Sequence, residues 1–228
     1  MSKLFRASLF IILLLNFSIL ISCSTVNRDI EKGEASLRLG DYAMAIRFFE
    51  GVLNRNPENF EARLGMGKSL IQQAVAQGGD SLIWSRALTH LEAARSIRPN
   101  SKVEPLLSDT WLIHARQGLE THDTLGALKS LGRAIDLNPK AVEALNLAGI
   151  IYYRMGDSEK ATILFRSALA ADSLRPFTYF NLGMVQWAKM NYVMAHQFWF
   201  KALQLAPEDK DILYWFASAQ KKVEELGK

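Results

Sequence analysis

The sequence predicts an all-α chain, a solenoid of about five helix-turn-helix repeats closed by a C-terminal capping helix. Three observations predict it. Phe177, Phe180, Met184 and Trp187 recur every three or four residues, as do Tyr192, Ala195, Trp199 and Ala202, so the stretch reads as two helices. Met190-Asn191 forms the break between them, and Pro207, which cannot continue a helix, closes the unit. Each helix is apolar around most of its circumference and must bury itself against further pairs, as stacked repeats do.

The same unit recurs along the chain. From Gly183 the offsets are 9 to Tyr192, 12 to Ala195, 16 to Trp199, 19 to Ala202 and 24 to Pro207. Identical offsets from Gly149 reach Ser158, Ala161, Phe165, Ala168 and Ser173; from Ala115 they reach Thr124, Ala127, Leu131, Ala134 and Pro139. From Gly33 they reach Tyr42, Ala45, Phe49, Val52 and Pro57. From Gly67 the series resumes at Ala87, Leu91, Ala94 and Pro99 after 8 extra residues. Pro139 and Pro207 lie 68 residues apart, two periods of 34.

A 34-residue period carrying Leu182-Gly183, Ala148-Gly149 with Tyr152, Ala45 with Phe49, and Ala161 with Phe165 resembles the tetratricopeptide repeat (TPR), and Trp111 fills that repeat's first aromatic slot. The resemblance spans about residues 26–209. It departs from the family pattern at Asp29, Lys32, Ser36, His114-Ala115, Ser173 and the second-repeat insertion. It implies a right-handed superhelix whose first helices line a concave groove for an extended or helical peptide. It also implies that the small residue at Gly33, Gly67, Ala115, Gly149 or Gly183 faces the small residue twelve on (Ala45, Ala87 past its insertion, Ala127, Ala161 or Ala195), where the paired helices cross.

In chain order, residues 1–22 carry Lys3 and Arg6 and an apolar run from Ala7 to Ile21, with no acidic residue. That run has signal-peptide length, below the ~20 residues of a membrane-spanning helix. Leu20-Ile21-Ser22-Cys23 resembles the bacterial lipobox, which assigns 1–22 to a lipoprotein signal peptide, Cys23 to lipidation and 23–27 to a short tether. An uncleaved anchor and an ordinary signal with a chance Cys are the competing readings. Cys23 is the only cysteine, so no intrachain disulfide is available. Ser24 in place of Asp favours the outer membrane, on its periplasmic side.

The TPR domain is expected over 28–228, with repeats at about 26–59, 60–101, 108–141, 142–175 and 176–209 and a cap helix at 210–226. The second repeat carries an insertion around 74–84 with a Gly78-Gly79-Asp80 turn, and 102–107 reads as a connection. Without Lys3 and Arg6 the 27 basic residues fall to 25 against 23 acidic ones, interleaved rather than gathered in a stripe, which argues against nucleic acid.

Projecting the period onto the concave face gives a partner-binding set of Asn146, Ile150, Tyr153, Phe177, Phe180, Met184, Trp187 and Tyr214. The N-terminal half offers Glu34, Glu61, Lys68, Asp109 and Arg116. The aromatic set either forms an exposed docking patch or is buried by a terminal segment or a tighter superhelix. Ile30, Leu64, Asn146 and Phe180 occupy the slots where a carboxylate-clamping TPR carries its clamp residues, so no such clamp is expected. The four histidines lack metal-ligand spacing, and no phosphate loop or nucleophile elbow is present, so no metal, cofactor or enzymatic activity is expected. His114 reads as a hydrogen-bonded structural histidine. The expected function is a lipid-anchored adaptor for a protein or peptide partner in the bacterial envelope, in the manner of pilus or outer-membrane assembly lipoproteins. The alternative is a small-ligand envelope receptor with a closed aromatic pocket.

Overall fold

The computed structural model describes residues 25–77, 81–99 and 102–227. Residues 1–22, read above as a signal peptide, Cys23 and the expected turn at Gly78-Gly79-Asp80 lie outside the described residues. Every regular element among the described residues is a helix: α1 (25–38), α2 (Tyr42–Arg55), α3 (Phe60–Gln77), α4 (Ser81–Ile97), α5 (Val103–Glu120), α6 (Thr124–Leu137), α7 (Val142–Arg154), α8 (Ser158–Ala171), α9 (Pro176–Ala188), α10 (Tyr192–Leu205) and α11 (Lys210–Leu226). The chain divides into two compact units, 1–110 and 111–228. In the first, α1 pairs with α2 and α3 with α4; in the second, α6 packs on the end of α5, α7 pairs with α8, α9 with α10, and α11 covers α10.

Two boundaries differ from the sequence reading. Thr25, Val26 and Asn27, assigned above to a tether, are already helical in α1. Residues 103–107, assigned to a connection, form the first turns of α5. Pro105 is tolerated there because the first N–H groups of a helix have no intrahelical acceptor.

The four turns inside pairs that lie among the described residues share one solution. His122, Gly156 and Met190, spaced by the period, have φ of 63°, 86° and 59°, and Gly40 of the first repeat has 79°. Around Gly156, its N–H donates to Tyr153 O and the Asp157 N–H donates to Tyr152 O, which satisfies the last carbonyls of α7. The next residue then caps the second helix: Asp41, Asp123, Asp157 and Asn191 accept from Met44, Gly126, Lys160 and Met194 N–H. The Lys160 N–H is the main reason the Asp157 carboxyl sits below its ordinary pKa. Between repeats, the side chains of Asn56, Asn138 and Asp172 accept from the N–H two residues on. Asp172 therefore keeps the same turn although Ser173 stands where the other copies have proline.

The closest approach within a pair corrects the small-on-small expectation. A methyl on Gly183 would lie 2.3 Å from Trp199 Nε1, and on Gly149 2.6 Å from Phe165 Cε1. On Gly33 it would lie 2.8 Å from Phe49, and on Gly67 2.5 Å from Leu91. The nearest side chain to each glycine is thus the large residue sixteen on, or twenty-four on past the insertion, with the Ala87 carbonyl also 3.6 Å from the Gly67 position. Ala45, Ala87, Ala127, Ala161 and Ala195 are themselves fully buried in the core. In the third repeat Ala115 occupies the glycine position, in one cluster with Leu131, whose side chain is smaller than Phe or Trp. Phe49 also meets Gly65 of α3, so a single ring is held between glycines of two neighbouring helices. Trp199, fully buried, donates from Nε1 to Phe180 O at 3.0 Å.

Two predictions come from these contacts. Gly183→Ala forces the Trp199 indole to move and should cost ~1–3 kcal/mol in chemical denaturation, whereas Gly132→Ala, which meets nothing within 4 Å, should not destabilise. Met190→Gly removes left-handed backbone strain of ~1–2 kcal/mol against ~0.4–1 kcal/mol of added unfolded-state entropy, so the urea midpoint should rise slightly.

Candidate functional site

The second unit carries a groove of about 450 Å³ along the exposed faces of its first helices. α7 contributes Val142, Asn146, Leu147 and Ile150, one helical stripe, and the start of α9 contributes Pro176, Phe177 and Thr178. Phe177 stands 55% exposed at this wall. Asn146 Nδ2 donates to Thr178 Oγ1 at 2.9 Å and ties α7 to α9, while its Oδ1 is buried without a partner among the described residues. At the rim Arg116 donates to Glu143 at 2.8 Å, and Arg175 to Asp172 at 2.6 Å. The groove is therefore apolar at its floor, with its rim charges paired.

The eight residues of the projected partner-binding set do not stay together. Asn146, Ile150 and Phe177 line the groove, and Phe180, stacked on Phe177 at 6.3 Å, lines a smaller cleft beside it. Met184 and Trp187 line neither pocket and, like Phe180, pack on the buried cluster of Ala195, Trp199 and Ala219. The Trp187 ring lies 4.8 Å from Tyr192, 5.7 Å from Trp199 and 5.6 Å from Trp215, so it is half-buried and packed against the core and Trp215 of α11, away from the groove lining. Tyr153 packs on the Ala161–Phe165 cluster, its hydroxyl donating to Met184 O at 3.4 Å. Tyr214 is 66% exposed, edge-on to Trp215. Trp215 of α11 packs edge-on against Trp187 and partly covers it, whereas Phe177 at the start of α9 stays exposed, a division that a repeat period cannot express.

Sequence reasoning missed Val142, Leu147, Pro176 and Thr178. The first two lie on the same helical stripe as Asn146 and were legible as such; Pro176 and Thr178 join only because α9 begins beside α7.

In the first unit, the charged residues Glu34, Glu61 and Lys68 do come together, around a groove of about 290 Å³ with Leu64 and Gly65 at its floor. Glu34 pairs with Arg38 at 3.9 Å and Glu61 with Arg98 at 3.5 Å. Asp109 is exposed on α5, and Arg116 is placed in the second unit. Nearby, Arg63 Nη1 donates to His90 Nδ1 at 3.2 Å. Burial, then the charges of Arg63 and Arg86, lower the His90 pKa to about 4. His114 bonds Ser130 Oγ at 3.1 Å; because that hydroxyl is given to Gly126 O, the imidazole is the donor. Among the described residues no group of His, Cys, Asp and Glu is arranged to hold a metal ion, and no helix is long and apolar enough to cross a membrane.

The His90 environment has a pH signature. Its pKa is lowered from 6.5 to about 4 by folding, so between those values the unfolded chain takes up a proton that the fold refuses. Stability should be complete above pH 6.5 and decline as pH falls toward 4. His90→Gln should flatten this part of the urea-midpoint profile, an equal slope in both proteins counting against it.

Comparison with known proteins follows the fold. Residues 30–59 and 115–176 each match the sequence profile of the tetratricopeptide repeat. No curated protein matches the sequence. Among solved structures, the chain is similar to the MamA protein at 22% identity and a TM-score of 0.57, covering 81% of this chain and 93% of that one. It is similar to YrrB, described as a TPR protein with an unusual peptide-binding site, at 19% identity and 0.56, covering 82% and 89%. It is similar to pilF of Pseudomonas aeruginosa at 14% identity and 0.53, covering 90% and 87%. At these identities the likeness is one of fold.

Proposed function

Because this chain is a tetratricopeptide-repeat protein, we propose that it is a non-enzymatic adaptor whose second unit docks an extended protein segment in the groove between α7 and α9. The observation that carries this is the exposed Phe177 beside the apolar stripe of Val142, Leu147 and Ile150. A surface of that kind loses water on binding and supplies ~25 cal/mol for each Å² of apolar area covered. The Asn146–Thr178 bond holds the two helices that form it, so little order has to be gained on association. YrrB, of the same fold, is described as having a peptide-binding site, which fits this reading. Phe177 and Tyr214 stand more than half exposed and the half-buried Trp187 is packed against Trp199 and Trp215, which favours a docking face over the closed aromatic pocket of a small-ligand receptor.

The location belongs to the same proposal. Lys3 and Arg6, the apolar run to Ile21 and the sequence Leu20-Ile21-Ser22-Cys23 support a lipid-anchored protein of the bacterial envelope, most simply at the periplasmic side of the outer membrane. There the adaptor would serve the assembly of a pilus or outer-membrane complex.

Two measurements test the proposal. A photoreactive residue at Phe177 should give a discrete protein adduct in cells, lost on Ile150→Glu, whereas the same residue at Trp187 should give none; adducts at Trp187 alone would move the site elsewhere. Radiolabelled palmitate should enter the chain and disappear with Cys23→Ser, which should also release the protein from the membrane fraction. Unchanged labelling would reject Cys23 as the anchor.

A further inference from the structure

The groove does not end at Phe177. On the far side of that ring lies a cleft of about 140 Å³, walled by Pro176, Phe177, Phe180 and Ile212 and edged by Asp209 and Asp211. Phe177 is thus a wall shared by two pockets of one face. Its ring and that of Phe180 are nearly parallel, 16° apart, and present aromatic surface to the cleft.

The two ends of this face differ in charge. In the larger pocket each cation is matched: Arg116 by Glu143 and Arg175 by Asp172. In the smaller one no lining residue is basic. Asp209 uses Oδ1 to accept from the Asp211 and Ile212 N–H groups and is committed to capping α11. The Asp211 carboxylate forms no ion pair among the described residues, so an unneutralised anion stands beside an apolar, aromatic cleft.

The geometry points to a cationic aliphatic side chain, that of lysine or arginine, as the occupant of the smaller cleft, carried by the same extended segment that places an apolar side chain in the larger pocket. The methylene stem would cover Phe177, Phe180 and Ile212, and the charged head would reach Asp211 while facing aromatic surface. A neutral side chain would desolvate Asp211 without pairing it, and an acidic one would be repelled. Side chains on one face of an extended strand recur every second residue, ~7 Å apart, which suits two pockets separated by one ring. The segment recognised is therefore apolar, any residue, basic.

This inference rests on the docking reading above, and the experiment separates the two. A randomised, end-blocked octapeptide display library is selected on the purified full chain, on Asp211→Asn and on Ile150→Glu, each checked for helical content. The expected result is enrichment of an apolar-x-Lys/Arg motif on the parent chain. Asp211→Asn should keep the apolar preference and lose the basic one, and Ile150→Glu should enrich nothing. In fluorescence polarisation the best peptide should weaken about five-fold when its lysine becomes norleucine, and the loss should shrink on Asp211→Asn and at high salt. Apolar peptides enriched equally by the parent and Asp211→Asn would overturn the cationic site and leave the groove standing. A basic preference that survives Asp211→Asn would overturn it as well. No peptide enriched on the parent chain would overturn both readings.

Discussion

The packing of this chain depends on one contact made repeatedly: a large side chain of the second helix lying directly over a glycine of the first. Trp199 over Gly183, Phe165 over Gly149 and Phe49 over Gly33 leave no room for even a methyl group. The bare backbone lets the ring approach until its edge touches the helix, and all three rings are essentially without solvent exposure. Interiors this dense cannot absorb an added carbon without moving the ring and what lies behind it. Behind Trp199 stand Phe180, Trp187 and Trp215, all within 6.3 Å between ring centres, so the glycine at 183 positions the aromatic cluster that α11 covers.

Between these contacts the chain reverses with few residues. One residue takes a left-handed backbone and the next caps the following helix, so only three residues separate one helix from the next. Glycine holds the left-handed position at 40 and 156, while His122 and Met190 hold it with a side chain. The turn tolerates this because its hydrogen bonds and the Asp or Asn cap are the same in the four described copies. Short, uniform turns keep each pair close and leave variation to the exposed faces, where binding differences can arise without cost to the core.

On those faces the two units differ chemically. The groove of the first is edged by Glu34, Glu61 and Lys68 and suits a polar or charged ligand; that of the second has an apolar floor between paired ions. Within the second unit, α11 decides where the apolar face stops being surface. It packs against the half-buried Trp187 and leaves Phe177 exposed, so one stripe of a single helix is partly covered and partly open.

The sequence by itself determined the helices, their pairing and the aromatic core, because a 34-residue period forces the same small, large and turn residues into the same places in every copy. Helical spacing placed Asn146 and Ile150 on one face of α7, and the repeat period put Phe177 on the matching face of α9; that the two faces line one groove follows from α9 beginning beside α7. It did not determine the partner of each glycine: the alanine at twelve and the ring at sixteen both lie on the facing helix, and only the crossing of the helices selects the ring. Nor did it determine the open extent of the groove. Trp187 and Phe177 are equivalent in spacing and in character, and what separates them is a helix more than twenty residues downstream. Burial is a property of what packs against a residue, and that information exists only once the chain has folded.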